Sequence, residues 1–247
     1  MKNLQRPTGR RSHDGQTLLL HSIFYTIQGE GPHAGRAAIF VRLAGCNLQC
    51  PLCDTEYTAG AQELEVGRIV EQVYAKYLSQ GCRLVVLTGG EPFRQNTHPL
   101  LQILIDEGFE VQIETNGMLD LGGTASDQTL YQLARGHGKI TTVVSPKTHK
   151  VAQSIRDVAD AWKFVITNDS VHPGDLLPLT ALNHPIPTGQ LLARPHETWE
   201  GPVYVQPADE QDTFLNAANM EAAVNSVMTY PQNRRLCLQM HKYADLE

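Results

Sequence analysis

From Arg83 onward the chain alternates between two periodicities. Arg83 to Leu87, Glu110 to Ile113, Lys139 to Val144, Trp162 to Ile166 and Val203 to Val205 are short apolar runs of strand length. Between them, Pro99 to Glu107, Asp127 to Arg135 and Val151 to Ala159 carry helical spacing. Asp212 to Val227 reads as a further helix with Phe214, Leu215, Ala218 and Val224 facing in, followed by a last strand at Leu236 to Met240. Upstream, Ala37 to Leu43 is a buried strand, and Leu64, Ile69, Val70, Val73, Tyr74, Tyr77 and Leu78 share one helical face that ends at Gly81. Strands alternating with helices pair in parallel through right-handed crossovers. The expected fold is therefore α/β and built on a parallel βα barrel.

Each strand runs into a polar turn. Thr88-Gly89-Gly90-Glu91-Pro92, Glu114-Thr115-Asn116-Gly117, Ser145-Pro146-Lys147, Thr167-Asn168-Asp169 and Gln206-Pro207-Ala208-Asp209 close the successive runs. Each set alone is ordinary turn chemistry. In a parallel barrel, however, all strand carboxyl ends face one rim, where active sites are built. The strand Ala37 to Leu43 delivers to that rim Arg42, a surface charge or a ligand, and then Cys46, Cys50 and Cys53.

Those cysteines are spaced C-x3-C-x2-C, close enough to converge on one metal centre. Structural zinc closes with four ligands, and an electron-transfer iron cubane normally takes four thiolates. Three thiolates on a cubane leave one iron open to a non-protein ligand. A chance cluster, or a zinc knuckle with a distant fourth ligand, remains the alternative. Cys82 and Cys237 stand alone in apolar segments as core thiols. Five cysteines, mostly clustered, fit a reducing cytoplasm and a metal better than disulfides.

A net charge of −6 carries no electrostatic footprint for nucleic acid. No apolar run has the length of a membrane span, and the polar N-terminus has no signal-peptide core. Residues 1–16 are basic and aperiodic, which predicts a flexible, loosely docked tail ahead of a single domain over 17–247. Residues 168–201, rich in Pro and His, form a long irregular excursion expected to hold one short helix.

The cysteine spacing and Gly89-Gly90-Glu91-Pro92 resemble the signature of radical S-adenosylmethionine enzymes. Within that superfamily, Gln28-Gly29-Glu30-Gly31, Phe40-Val41-Arg42, Gly45-Cys46-Asn47-Leu48, Cys53-Asp54-Thr55, Glu114-Thr115-Asn116-Gly117, Ser145-Pro146-Lys147 and Gln239-Met240-His241-Lys242-Tyr243 resemble the 7-carboxy-7-deazaguanine synthase family. The resemblance implies an incomplete, distorted barrel and a lyase that contracts 6-carboxy-5,6,7,8-tetrahydropterin to 7-carboxy-7-deazaguanine with loss of ammonia, on the route to queuosine. By that resemblance Cys46, Cys50 and Cys53 ligate a 4Fe-4S cluster. Leu52, Cys53, Asp54, Gly90, Ser145, Pro146, Lys147 and Gln206 hold S-adenosylmethionine. Ile27, Gln28, Gly29, Arg42 and Thr88 hold the pterin, and Thr55 ligates Mg2+. It also implies an electron donor such as flavodoxin and a homodimer. Another radical enzyme, such as an activase, or a regulatory iron–sulfur or zinc module are the competing readings. Leu52 departs from the family, where many relatives carry an aromatic residue.

Overall fold

The computed structural model describes residues 3–244 and Leu246. Nine strands form one sheet: β1 (Thr17–Ile27), β2 (Ala37–Leu43), β3 (Gln62–Glu65), β4 (Leu84–Gly89), β5 (Glu110–Thr115), β6 (Ile140–Val144), β7 (Ala161–Ile166), β8 (Val203–Pro207) and β9 (Arg234–Leu236). Their order is β3-β1-β2-β4-β5-β6-β7-β8-β9. β1 runs antiparallel to both β2 and β3, and every pairing from β2 to β9 is parallel. The edges β3 and β9 do not pair with each other, so the barrel is incomplete.

The helices are α1 (Val66–Gln80), α2 (His98–Asp106), α3 (Ala125–Gly136), the short α4 (Gln153–Val158), α5 (Thr213–Thr229) and α6 (Met240–Tyr243). Val85, Leu87, Ile113, Trp162, Phe164 and Val205 point outward and bury against Ile69, Leu100, Leu104, Tyr131 and Ile155. The alternate positions of the same strands point inward. Strand geometry makes this division automatic, since successive side chains leave opposite faces.

Four expectations change. Leu64 belongs to β3 rather than to the helix, because 62–65 pairs with 17–20 of β1. The excursion over 168–201 contains no helix; its one regular feature is an isolated bridge between Val171 and Pro178. The last strand ends at Leu236, and Met240 opens α6 instead. In α5 the inward face is small and polar, with Asn219, Ala223 and Ser226 buried while Phe214 is 87% exposed. Asn219 wins its buried place by accepting the Asn168 N–H and donating to Ala208 O, contacts that apolar periodicity does not reveal.

Candidate active site

The inward residues of the strands converge on a cavity of about 340 Å³, within the range of small-molecule sites. Arg42 of β2, Thr88 of β4, Glu114 of β5, Lys163 of β7 and Gln206 of β8 line its floor. Glu114 is held by three donors: Gln28 Nε2 at 2.9 Å, Gln112 Nε2 at 3.1 Å and Thr88 Oγ1 at 3.2 Å. Lys163 Nζ forms a buried ion pair with Glu30, and the Gln206 amide lies 3.3 Å from both Glu30 oxygens, to which its nitrogen donates once the amide is turned toward them. Burial opposes charge on each partner. The pairing outweighs it, so the Glu30 carboxyl is held below its ordinary range and the Lys163 ammonium above its own. The Arg42 guanidinium lies over the Phe24 ring, 4.9 Å from its centroid, and Phe24 stacks on Phe40.

The cysteine loop forms the rim. Cys46, Cys50 and Cys53 all face this cavity, and Leu48, Tyr57 and Leu182 pack around them. Burial pushes the Cys46 thiol up to about 12 and Cys50 up to about 11, and raises Cys53 as well. The Leu48 N–H points at Cys46 Sγ from 3.4 Å, as donors do toward thiolate ligands. Among the described residues, no three His, Cys, Asp or Glu side chains are gathered to hold a single metal ion. Three thiols facing one cavity are the donor set that a cubane with one open iron would use.

Gly89 and Gly90 are required by crowding from the end of β2 and from the cysteine loop respectively. A Cβ on Gly90 would stand 2.3 Å from Gly45 O, and one on Gly89 would stand 2.0 Å from Leu43 O. The next residue, Glu91, is fully buried and binds the β4 turn to the β5 turn. Its carboxyl accepts from Phe93 N, Thr115 Oγ1 and Asn116 N. Asn116 then reaches Asn47 Oδ1 at 2.8 Å, which joins this latch to the cysteine loop.

Two distant segments clasp the loop. The segment expected to be a loose tail is docked from Asn3 onward, although it forms no helix or strand. Asn3 Nδ2 donates to Cys50 O at 3.1 Å and its N–H to Pro51 O at 3.0 Å. Gln5 Nε2 reaches Thr55 O at 2.8 Å, and the Thr8 N–H reaches Cys46 O at 2.7 Å. Loop carbonyls without a strand partner need such donors, which is why a polar, aperiodic stretch orders here. From the other end, Lys242 Nζ bridges Asp54 at 3.0 Å and Asp209 at 3.1 Å. Burial pushes the Asp54 carboxyl up, but Lys242 outweighs it and the net shift is downward.

Most residues singled out from the sequence meet at this cavity. Ile27, Gln28, Arg42, Cys46, Cys50, Leu52, Cys53, Asp54, Thr55, Thr88, Gly90, Ser145, Lys147 and Gln206 line it. Gly29 and Pro146 do not. Gly29 instead gives room to the C-terminal segment, since a Cβ there would stand 2.5 Å from His241 Nδ1. Lys147 curls back, donating to Ser145 O and Oγ at 2.7 and 2.6 Å. The Thr55 hydroxyl lies 3.5 Å from Asp54 Oδ1. Sequence reasoning assigned no role to Glu30, Glu114, Lys163, Leu182, Gln239 or Lys242, all of which line the cavity. The signal for Lys163 was present, as a charged residue inside an apolar strand, whereas Glu114 reads as the start of a polar turn and β5 runs on through Thr115. Leu182 had no such signal. It comes from the excursion, with φ of 51°, and its carbonyl accepts the Leu52 N–H at 3.2 Å.

Residues 41–145 match the family model of the Radical SAM superfamily. The 7-carboxy-7-deazaguanine synthase of Rhodospirillum rubrum is 37% identical over 235 residues, 93% of this chain and 92% of the relative. That of Rickettsia prowazekii is 36% identical over 247 residues, covering 96% and 92%. A crystal structure of QueE from Escherichia coli superposes with a TM-score of 0.60 at 20% identity, covering 89% of this chain and 93% of that one. That structural likeness speaks for the fold alone, an incomplete radical SAM barrel. With such identity over nearly the whole of both chains, this chain belongs to the 7-carboxy-7-deazaguanine synthase family of the radical SAM superfamily.

Proposed function

We propose that this chain is a 7-carboxy-7-deazaguanine synthase, a carbon–nitrogen lyase of queuosine biosynthesis that contracts 6-carboxy-5,6,7,8-tetrahydropterin with release of ammonia. One observation carries the reading: the three thiols of C-x3-C-x2-C and a floor of carboxylate, amide and guanidinium groups face a single cavity. When bound, the cluster and S-adenosylmethionine supply one-electron cleavage that starts radical chemistry on the substrate. Cys46, Cys50 and Cys53 hold the cluster. Leu52, Cys53, Asp54, Gly90, Ser145, Lys147 and Gln206 hold S-adenosylmethionine in this reading, with Pro146 shaping the turn between Ser145 and Lys147. The substrate carboxylate suits the Arg42 fork, while Gln28, Thr88 and Ile27 position the ring and Gly29 sets the turn beside it. The cysteine loop, Leu182 and the C-terminal segment limit water around the reacting atoms.

Thr55 and Asp54 offer neighbouring oxygens at the rim, which supports an Mg2+ ion completed by water and substrate oxygens. A cluster that cycles by single electrons requires a one-electron donor such as flavodoxin. On α5, Phe214, Val224 and Met228 share one exposed sector, which supports a second copy as partner in a homodimer. No helix among the described residues is long and apolar enough to cross a membrane; a cytoplasmic location rests on the reduced chemistry the site needs.

The test is anaerobic incubation of the reconstituted protein with the carboxytetrahydropterin, S-adenosylmethionine, Mg2+ and a reductant. The expected product is lighter than the substrate by one ammonia. Because loss of ammonia balances the reaction without an oxidant, S-adenosylmethionine is expected to be recycled. Release of one 5′-deoxyadenosine for each product would point to a different radical enzyme.

A further inference from the structure

We propose that Arg94 is a positioning residue of the cluster: its buried guanidinium braces the cysteine loop from behind and supplies a fixed positive charge that raises the cluster's reduction potential. The proposal rests on the reading of Cys46, Cys50 and Cys53 as cluster ligands. Arg94 ends the single 3-10 turn Pro92–Arg94, which follows the glycine pair and is capped by the Glu91 carboxylate accepting the Phe93 N–H. In that place Arg94 is only 4% exposed.

The residue joins three parts of the chain. Nη2 donates to Ala44 O at 3.0 Å, just past β2 and two residues before Cys46. Nη1 donates to Gly9 O at 3.1 Å in the N-terminal segment, and Arg94 O accepts the Arg11 N–H at 2.8 Å. Gly45 packs directly on the same group, since a Cβ there would stand 2.6 to 2.8 Å from Nη2, Nε and Cζ. Arg94 does not line the cavity. It stands behind the loop, against the neighbour of the first cluster ligand.

What this guanidinium lacks is an anion. Among the described residues it forms no ion pair, its hydrogen bonds go to two neutral carbonyls, and its buried Nε has no partner. Glu91, three residues back, is occupied by Phe93 N, Thr115 Oγ1 and Asn116 N. Arg11 is met by Glu63 at 2.7 Å and brings a like charge. Burial and Arg11 disfavour the charge on Arg94, and the Cys46 sulfur, as a thiolate, favours it. Arginine keeps its charge in proteins, and a buried cation is costly without a counter-ion. The thiolates that hold a cluster supply that counter-ion. Lys147 acts on Cys50 and Cys53, and Arg42 on Cys53, from the cavity wall; Arg94 acts at the other end of the loop, on Cys46. Reduction by one electron from the donor adds one negative charge to the cluster. A fixed cation close by favours that form, and local charge is among the determinants of cluster potential.

The experiment is a redox titration of the reconstituted protein near neutral pH, without S-adenosylmethionine, read by cluster absorbance and by electron paramagnetic resonance of the reduced form. Arg94→Met is expected to lower the midpoint by about 59 mV or more, a roughly tenfold smaller ratio of reduced to oxidised cluster at a given potential. Arg94→Lys keeps the charge but loses the fork that spans Gly9 and Ala44, and should fall by less than about a third of that. Equal lowering in Arg94→Lys and Arg94→Met would assign the effect to hydrogen-bond geometry and overturn the proposal, as would a parent-like midpoint in Arg94→Met. If Arg94→Met does not hold iron, Arg94→Gln, which keeps an N–H for Ala44 O, decides: a lowered midpoint is expected, and an unchanged one overturns the proposal. Failure of the parent protein to take up a reducible cluster would sink the cluster reading itself, an outcome distinct from any difference among the variants.

Discussion

The cavity floor and the cysteine rim solve the same problem, holding polar groups still, by opposite means. On the floor, Arg42 and Thr88 sit on adjacent parallel strands in register, Thr88 bonds Glu114 on the next, and Lys163 and Gln206 lie farther along on β7 and β8. Strand pairing places these side chains. The rim has no helix or strand of its own between Ala44 and Ala61. Its carbonyls are met by Asn3, Gln5 and Thr8, and its Asp54 by Lys242. Order there is borrowed from segments that lie 47 and 188 positions away in sequence. Damage to remote sequence should therefore reach the cluster before it reaches substrate binding.

The largest effect is expected where floor meets rim. Gly90→Ala drives a Cβ into Gly45 O and Cys46 Cβ, so iron content and S-adenosylmethionine binding should both collapse. Gly67→Ala in α1 meets no atom within 4 Å and should stabilise the protein by about 0.5–1 kcal/mol in denaturant melts. Cys46, Cys50 or Cys53→Ala should abolish the cluster, while Cys82→Ala and Cys237→Ala retain it. Loss of iron in Cys82→Ala would mean a four-thiolate cluster and refute the open position.

Next comes the N-terminal clasp. Deleting residues 1–9 should speed iron loss to a chelator roughly tenfold or more, and Asn3→Ala should do so partially, since it removes the side-chain donor to Cys50 O while the Cys53 N–H stays on that carbonyl, a loss of about 0.5–1.5 kcal/mol. Binding of 6-carboxypterin, an oxidised substrate analogue, should change little. Equal losses at both places would erase the distinction between floor and rim.

Thr55→Ala tests a single rim oxygen. Its turnover at low magnesium should fall roughly tenfold and recover at high magnesium, with Thr55→Ser near the parent. Identical magnesium titrations for Thr55→Ala and parent would remove Thr55 from the metal site. The smallest effect belongs to Lys242→Met, whose ion pairs are partly solvent-exposed. Stability should drop by about 0–1 kcal/mol, and a larger drop would show that the C-terminal clasp is as strong as the N-terminal one.

How much of this was readable in advance depended on chain distance. The C-x3-C-x2-C loop, the Gly89-Gly90 pair and the strand-end turns are local patterns, and the parallel alternation came from periodicity. Lys163 was visible as a charge inside an apolar strand, but which face of a strand lines a cavity is decided by the helices that cover the other, and Glu114 reads as turn because β5 runs two residues past its apolar stretch. Asn3 and Lys242 looked like ordinary polar residues, because their partners are fixed only once the sheet brings the cysteine loop beside both segments. The reading of α5 failed for a related reason. Its helical apolar pattern marks the exposed face, while Asn219 is buried by hydrogen bonds to two other loops.

The two clasps also set an order in time. The cysteine loop leaves the ribosome with Asn3, Gln5 and Thr8 already made, so the N-terminal contacts are available to it at once. Lys163 comes later, and Lys242 later still, roughly 10–40 s after Thr55 at ordinary rates of synthesis. Through that interval the three thiols lack the floor beneath them and the lysine across the mouth. A cluster inserted early would meet solvent and oxygen on its open side. A chain stopped short of residue 239 would therefore present the cysteine loop with its N-terminal contacts but without Lys242 across the mouth.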